Sequence, residues 1–262
     1  MPTRLGTPDD LELALELATI ADGITMRHFR SSSLVVSTKA DRTEVTIADR
    51  GAEESISDAL ARHRPDDAVL GDEFGERGGR GGRRWIIDPI DGTSNYVRGV
   101  PVWATLIALE IDDRLEIGVV SAPALSRRWW AQRGRGSFGN GEPIRVSAVA
   151  SIEHAFLSFS EGPWENHGMR SGIGALVGAA GRVRAFGDFW QHMLVAEGSI
   201  DVAVEPIVSL WDLAAVQVVV EEAGGTFTSL AGVARPDGGS ALSTNGLLHE
   251  PVLAVLRIGA KG

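Results

Sequence analysis

The chain has 262 residues, enough for one large domain or two closely joined halves, with hydrophobic residues at 44% and charged residues at 23%. A formal net charge of -10 argues against nonspecific binding to nucleic acid or anionic membranes, which draws on excess Lys and Arg. An anionic substrate stays open, because a bound cation inverts the local field. There is no cysteine, which excludes disulfides, thiolate zinc sites, iron–sulfur clusters and cysteine nucleophiles.

Thr7-Pro8-Asp9-Asp10 reads as a helix start, with a cap residue, a proline and acids in the first turn. Leu11, Leu15, Ala18 and Met26 then recur near helical spacing to about residue 29. This acid-bearing opening is unlike a signal peptide, and no stretch approaches the ~20 apolar residues of a membrane span. A soluble, cytoplasmic protein is the expectation. After a polar stretch over 37–49, a helix is predicted over 48–63, stopped by Pro65. Ala68-Val69-Leu70 is a short strand leading into Gly71-Asp72-Glu73. Residues 75–84 hold five Gly and four Arg and are predicted to be a mobile loop. Trp85-Ile86-Ile87 is a buried strand running into Asp88.

Strands are predicted over 102–110 and 115–121, then over 128–132 and 136–138, with Asn140-Gly141 as a tight hairpin turn. Arg127-Arg128-Trp129-Trp130 fits a strand alternating between core and surface better than an aromatic patch for a partner. Beyond residue 145 the pattern gives a strand over 155–160, helices over 168–180 and 188–197, a strand over 200–204 and a helix over 212–223. Gly224-Gly225 ends the last of these. There is no internal repeat. Helices interleaved with strands predict a layered mixed α/β fold in two halves, 1–145 and 146–262.

The chemistry concentrates at Asp88-Pro89-Ile90-Asp91-Gly92-Thr93. Two acids three apart follow an apolar strand, Pro89 stiffens the backbone between them, and Gly92 permits a tight turn before Thr93-Ser94-Asn95 open a helix. Carboxylate oxygens are hard ligands suited to Mg²⁺, and N–H groups at a helix start suit a phosphate. The same pattern also fits an acidic strand-end turn with ordinary caps. Asp72, Asp49 after Val45-Thr46-Ile47-Ala48, and Asp212 after Trp211 stand at comparable element ends. Each alone reads as a cap or surface acid, and their combination is the signal.

In this order the motifs resemble the inositol monophosphatase superfamily: Val45-Thr46-Ile47-Ala48-Asp49, Gly71-Asp72-Glu73, Asp88-Pro89-Ile90-Asp91-Gly92-Thr93 with Asn95, Trp211-Asp212-Leu213-Ala214, and Glu221 through Gly225. The likeness spans essentially the whole chain. It implies a layered αβαβα sandwich of the inositol monophosphatase and fructose-bisphosphatase type, a Mg²⁺-dependent phosphatase with two or three ions, and a homodimer. It further implies metal held by Asp72, Asp88, Asp91, Asp212 and the Ile90 carbonyl, and phosphate held by the N–H groups of Gly92 and Thr93. Asp49 and the Thr93 hydroxyl would position the attacking water. The family usually has Glu where this chain has Asp72; the shorter side chain leaves three alternatives, a shifted metal, binding through water, or part of the role passing to Glu73 beside the metal.

Within the superfamily, residues 98–104 (Arg-Gly-Val-Pro-Val-Trp-Ala), 121–130, Gly187-Asp188-Phe189 and 244–249 resemble histidinol-phosphate phosphatases of actinobacterial type. That likeness implies an amine-bearing substrate, with Asp188 and Glu205 as its readers. An inositol or other polyol-phosphate phosphatase, and a metal- or phosphate-binding regulator without catalysis, are the alternatives. The glycine pattern from Gly134 to Gly139 matches a dinucleotide fingerprint but leads into a turn instead of a helix. No H-E-x-x-H, G-x-S-x-G or Walker sequence is present.

Overall fold

Two main β-sheets, a separate two-stranded sheet and seven α-helices make up the computed structural model among its described residues, which are 8–39, 43–79 and 81–258. The chain begins with α1 (Pro8–His28), the hairpin β1 (Val36–Thr38) and β2 (Glu44–Thr46), and α2 (Ile47–His63). The large sheet follows: β3 (Ala68–Gly71), β4 (Gly75–Gly78), β5 (Arg83–Asp91), β6 (Ala104–Ile111), β7 (Arg114–Ala122), β8 (Arg127–Gln132), β9 (Ser137–Gly139) and β10 (Glu142–Ile144). Its spatial order is β10-β9-β8-β7-β6-β5-β3-β4, and the short helix α3 (Thr93–Val97) interrupts it after β5.

The remainder builds β11 (Phe156–Phe159), α4 (Arg170–Ala179), β12 (Arg182–Arg184), α5 (Asp188–Ala196), β13 (Val202–Glu205), α6 (Leu210–Glu222), β14 (Thr226–Thr228), β15 (Ala241–Thr244) and α7 (His249–Leu256). These five strands form a second sheet in the order β12-β11-β13-β15-β14.

Burial sets the layers. α1 and α2 cover one face of the large sheet, where Leu17, Ile56 and Leu60 pack on Trp85, Ile87 and Ile107. α5 and α6 lie against its other face, with Leu213, Val216 and Val220 meeting Leu106, Val120 and Trp129. α4 and α7 close the far side of the small sheet, with Leu176 and Leu253 on Leu157 and Val204. The result is the expected αβαβα sandwich. α6 explains the order: Leu213 through Val220 are all buried, so the helix has no solvent face and serves as an interior layer. Burying each such aliphatic side chain contributes roughly 1.5–3 kcal/mol.

The Thr7 cap lies outside the described residues, while α1 runs as the spacing requires. The loop expected over 75–84 is corrected: Gly75–Gly78 is an edge strand antiparallel to β3, and β5 already begins at Arg83. Its Gly/Arg composition lacks an inward apolar face because β4 lies at the sheet margin, where charge blunts an open edge. No described helix is long and apolar enough to cross a membrane.

Candidate active site

β5 and β6 keep regular register up to Asp88↔Leu106 and then slip before Asp91↔Ala104. The slip falls at Pro89, which has no N–H for the ladder; Thr105 Oγ1 donates to its carbonyl at 2.8 Å. The irregularity turns both aspartates toward one point. Ile90 N–H closes the turn on Asp88 Oδ1 at 2.9 Å, and Gly92, at φ 81°, makes the left-handed step that starts α3. Asp212 arrives from α6. It is the third residue of α6 and caps that helix by accepting from Ser209 N–H at 2.7 Å.

Asp88, Asp91 and Asp212 each offer a carboxylate oxygen within 4.8 Å of the others. They face a cavity of about 700 Å³ that Asp72, Gly92, Thr93 and Asp188 also line. Burial, and then the neighbouring carboxylates, push Asp88 and Asp91 well above the ordinary aspartate range. The same effects bring Asp212 to about 6, against the opposing pull of its bonds to Ser209 and Asp88.

Asp49 is held by a second capping box at the start of α2. Its Oδ2 accepts from Thr46 N–H at 2.8 Å and from the Thr46 hydroxyl at 2.5 Å. Its Oδ1 is 3.2 Å from Thr93 Oγ1, which lies 2.8 Å from the Ile90 carbonyl. Burial raises the Asp49 pKa, partly offset by these donors. One hydroxyl thus joins the carboxylate and the carbonyl that the sequence assigned to water activation and metal binding.

Asp72 lines the cavity but stands outside the three-carboxylate group. Lys39 Nζ lies 2.7 Å from Asp72 Oδ2 and 2.7 Å from Glu73 Oε1. Burial lifts Glu73 to about 7 despite the lysine, and the two carboxylates overcome burial to hold Lys39 above its usual value. Beneath this turn, buried Glu53 accepts the N–H groups of Glu73 at 2.8 Å and Phe74 at 3.0 Å.

Asp188 begins α5 with φ 49°, a strained value for a residue with a Cβ, though one that aspartate adopts more readily than most. Its carboxylate accepts from Asn95 Nδ2 at 3.1 Å, and burial and then Glu205 raise its pKa to about 6. The next N–H, that of Phe189, donates to Asp91 Oδ2 at 2.7 Å. Glu205 is buried behind Ser160 and bonded to His192.

The site therefore gathers Asp49, Thr93, Ile90, Asp88, Asp91 and Asp212, sets Asp72 with Glu73 beside Lys39, and places Asp188 at one wall. Sequence reasoning passed over Lys39, Glu53 and His192. Glu53 and His192 are legible only as polar residues within predicted helices, and nothing local announces Lys39. The trio offers only carboxylate oxygens, with no His or Cys, and its like charges are buried together. That donor set fits a hard divalent cation.

Known proteins resemble this chain along nearly its whole length. The sequence profile of the inositol monophosphatase family matches residues 9–258. The chain is 54% identical over 257 residues to a histidinol-phosphatase of Mycobacterium tuberculosis, covering 96% of this chain and 99% of that protein. It is 50% identical to a histidinol-phosphatase of Streptomyces coelicolor, covering 95% and 97% respectively. Among solved structures, an inositol monophosphatase (IMPase) of Thermotoga maritima superposes with a TM-score of 0.86 at 31% identity, over 97% of this chain and 98% of that one. An extragenic suppressor protein, suhB, of Bartonella henselae superposes with a TM-score of 0.88 at 29% identity, over 95% and 98%. With its acid cluster built for a hard cation, the chain belongs to the inositol monophosphatase family of phosphoric monoester hydrolases.

Proposed function

We propose that the chain hydrolyses L-histidinol phosphate to L-histidinol and phosphate in histidine biosynthesis, as the names of its relatives at 43–54% identity suggest. The observation that carries this reading is the Asp188 carboxylate. It stands in the wall shared by the metal-side cavity and a neighbouring cavity of about 490 Å³ that also reaches Ser160 and Phe186. A phosphate at the acid cluster leaves the organic half of its ester facing that wall. An ammonium group there gains charge-assisted hydrogen bonds to Asp188, with the charge of Glu205 behind it.

Mg²⁺ would be held by Asp88, Asp91, Asp212 and the Ile90 carbonyl, with Asp72 and Glu73 at the margin. Bound cations would polarise the phosphate and stabilise the charge of the departing oxygen. The chain's own groups do the rest. The N–H groups of Gly92 and Thr93 fix the phosphate oxygens. Thr93 Oγ1 holds the attacking water in line with phosphorus, and its proton passes to Asp49 as the new P–O bond forms and the ester P–O bond breaks. The leaving alkoxide takes its proton from solvent. The acting unit we propose is a homodimer, checked by sedimentation velocity.

The test is phosphate release with and without Mg²⁺ from histidinol phosphate, inositol 1-phosphate, fructose 1,6-bisphosphate and glycerol 2-phosphate. The proposal expects the highest kcat/KM on histidinol phosphate and no turnover in chelator. A higher value on inositol 1-phosphate would reassign the substrate.

A further inference from the structure

Both oxygens of Glu205 are already engaged within the protein. Ser160 Oγ donates to Oε1 at 2.5 Å, and His192 Nε2 bonds Oε2 at 2.9 Å. Burial alone would raise the Glu205 pKa, yet these donors hold it below the ordinary range. The residue is only 5% exposed, so its carboxylate has little surface left for a ligand.

His192 is fully buried, four residues after Asp188 on α5, which puts the two on one face of the helix. Glu205 at the end of β13 therefore grips α5 through the His192 ring, one helical turn on from Asp188. The far ring nitrogen, Nδ1, is braced 2.8 Å from Ser243 Oγ on β15. One residue further on, Phe189 N–H is tied to Asp91. Between these two ties, the Phe189 N–H to Asp91 and the His192 ring to Glu205, Asp188 keeps its positive φ. A strained residue holds such a conformation only where its surroundings over-determine it.

We infer that His192 is a positioning residue for substrate recognition: through Glu205 it locks the left-handed turn that aims the Asp188 carboxylate at the cationic end of the substrate. The inference deepens the function proposed above and rests on it for the identity of that cation. Without the ring, Glu205 loses its fixed orientation and Asp188 relaxes out of the left-handed region. Its carboxylate then leaves the wall between the two cavities. The phosphate side depends less on this clamp, because Asp88 and Asp212 are held by their own turn and cap.

The experiment compares wild type, His192→Phe and His192→Gln, the last of which restores an N–H donor near the Nε2 position. With His192→Phe, KM for histidinol phosphate should rise about tenfold while kcat changes less than about threefold, and KM for glycerol 2-phosphate should change little. His192→Gln should recover most of the loss. Equal rises on both substrates, no change on either, or a Gln variant no better than Phe would each overturn the inference. A second readout does not depend on which phosphate the enzyme prefers. The Asp188 amide signal should shift in His192→Phe and return in His192→Gln, and an unmoved signal overturns the inference. A wild type that disfavours histidinol phosphate while the amide behaves as stated would sink the substrate assignment alone. If His192→Phe does not fold, Ser243→Ala removes only the brace and should show the same substrate-selective KM rise in weaker form, and its absence also overturns the inference.

Discussion

Gly71 lies against the carboxylate of Glu53, so close that a Cβ on Gly71 would fall inside contact distance of both carboxylate oxygens. Glu53 needs that room to reach the N–H groups of Glu73 and Phe74, and the turn it secures presents Asp72 to the cavity. Gly71→Ala should therefore destabilise the protein by about 1–3 kcal/mol, the usual range for overpacking, and lower activity as well. Urea denaturation checks the first effect. An unchanged midpoint would show that Glu53 yields without cost.

Metal-free stability should depend on pH with a definite sign. Asp88, Asp91 and Asp212 have folded pKa values above those of an unfolded chain, Asp212 at about 6. An acid raised in this way stabilises the fold when protonated. That contribution is complete below the unfolded value and lost as pH rises through the folded one. In chelator the melting temperature should be higher at pH 5.5 than at pH 8. Saturating Mg²⁺ should reverse the order, because protonation then competes with the cation. A chelated protein that melts lower at pH 5.5 would contradict the repulsion described.

Asp91→Asn should abolish most of the turnover, since it weakens a carboxylate proposed to hold metal. Its amide oxygen still accepts the Phe189 N–H, and one of three repelling charges is gone. The melting temperature in chelator should therefore hold or rise. Full activity, or loss of the folded state, would count against the assignment.

Asp72→Glu should be tolerated and should lower the Mg²⁺ concentration giving half-maximal rate, because the longer side chain reaches further toward the trio. Glu73→Gln should do more damage, since it leaves Lys39 ion-paired with Asp72 alone. Complete loss of activity in Asp72→Glu, with Glu73→Gln harmless, would show that the two acids divide the work differently.

The parts of this site readable from sequence are those written in local geometry. Thr46-x-x-Asp49 and Ser209-x-x-Asp212 are capping boxes, so each of these two acids, proposed above as functional, is also the acid of its cap. The strand, proline and glycine around Asp88 likewise state their own turn. The interior position of α6 was legible only as a helix, since hydrophobicity on every side says that it is buried but not against what. β12, β14, β15 and α7 escaped notice because three- and four-residue strands and an eight-residue helix carry too little periodicity. Lys39, Glu53 and His192 act through partners distant in sequence, which no local pattern reports.

The trio also ties chemistry to assembly. Asp88 and Asp91 end a strand of the first sheet, whereas Asp212 rides on α6, which reaches its place only by packing between both sheets. A chain emerging from the ribosome exposes the first two acids long before the third exists. Any cation that needs all three therefore binds the docked state and not its precursor, and it favours docking by mass action. The ion proposed above for turnover would then double as a fastener between layers, and its depletion would idle the enzyme and loosen it toward proteolysis in the same event.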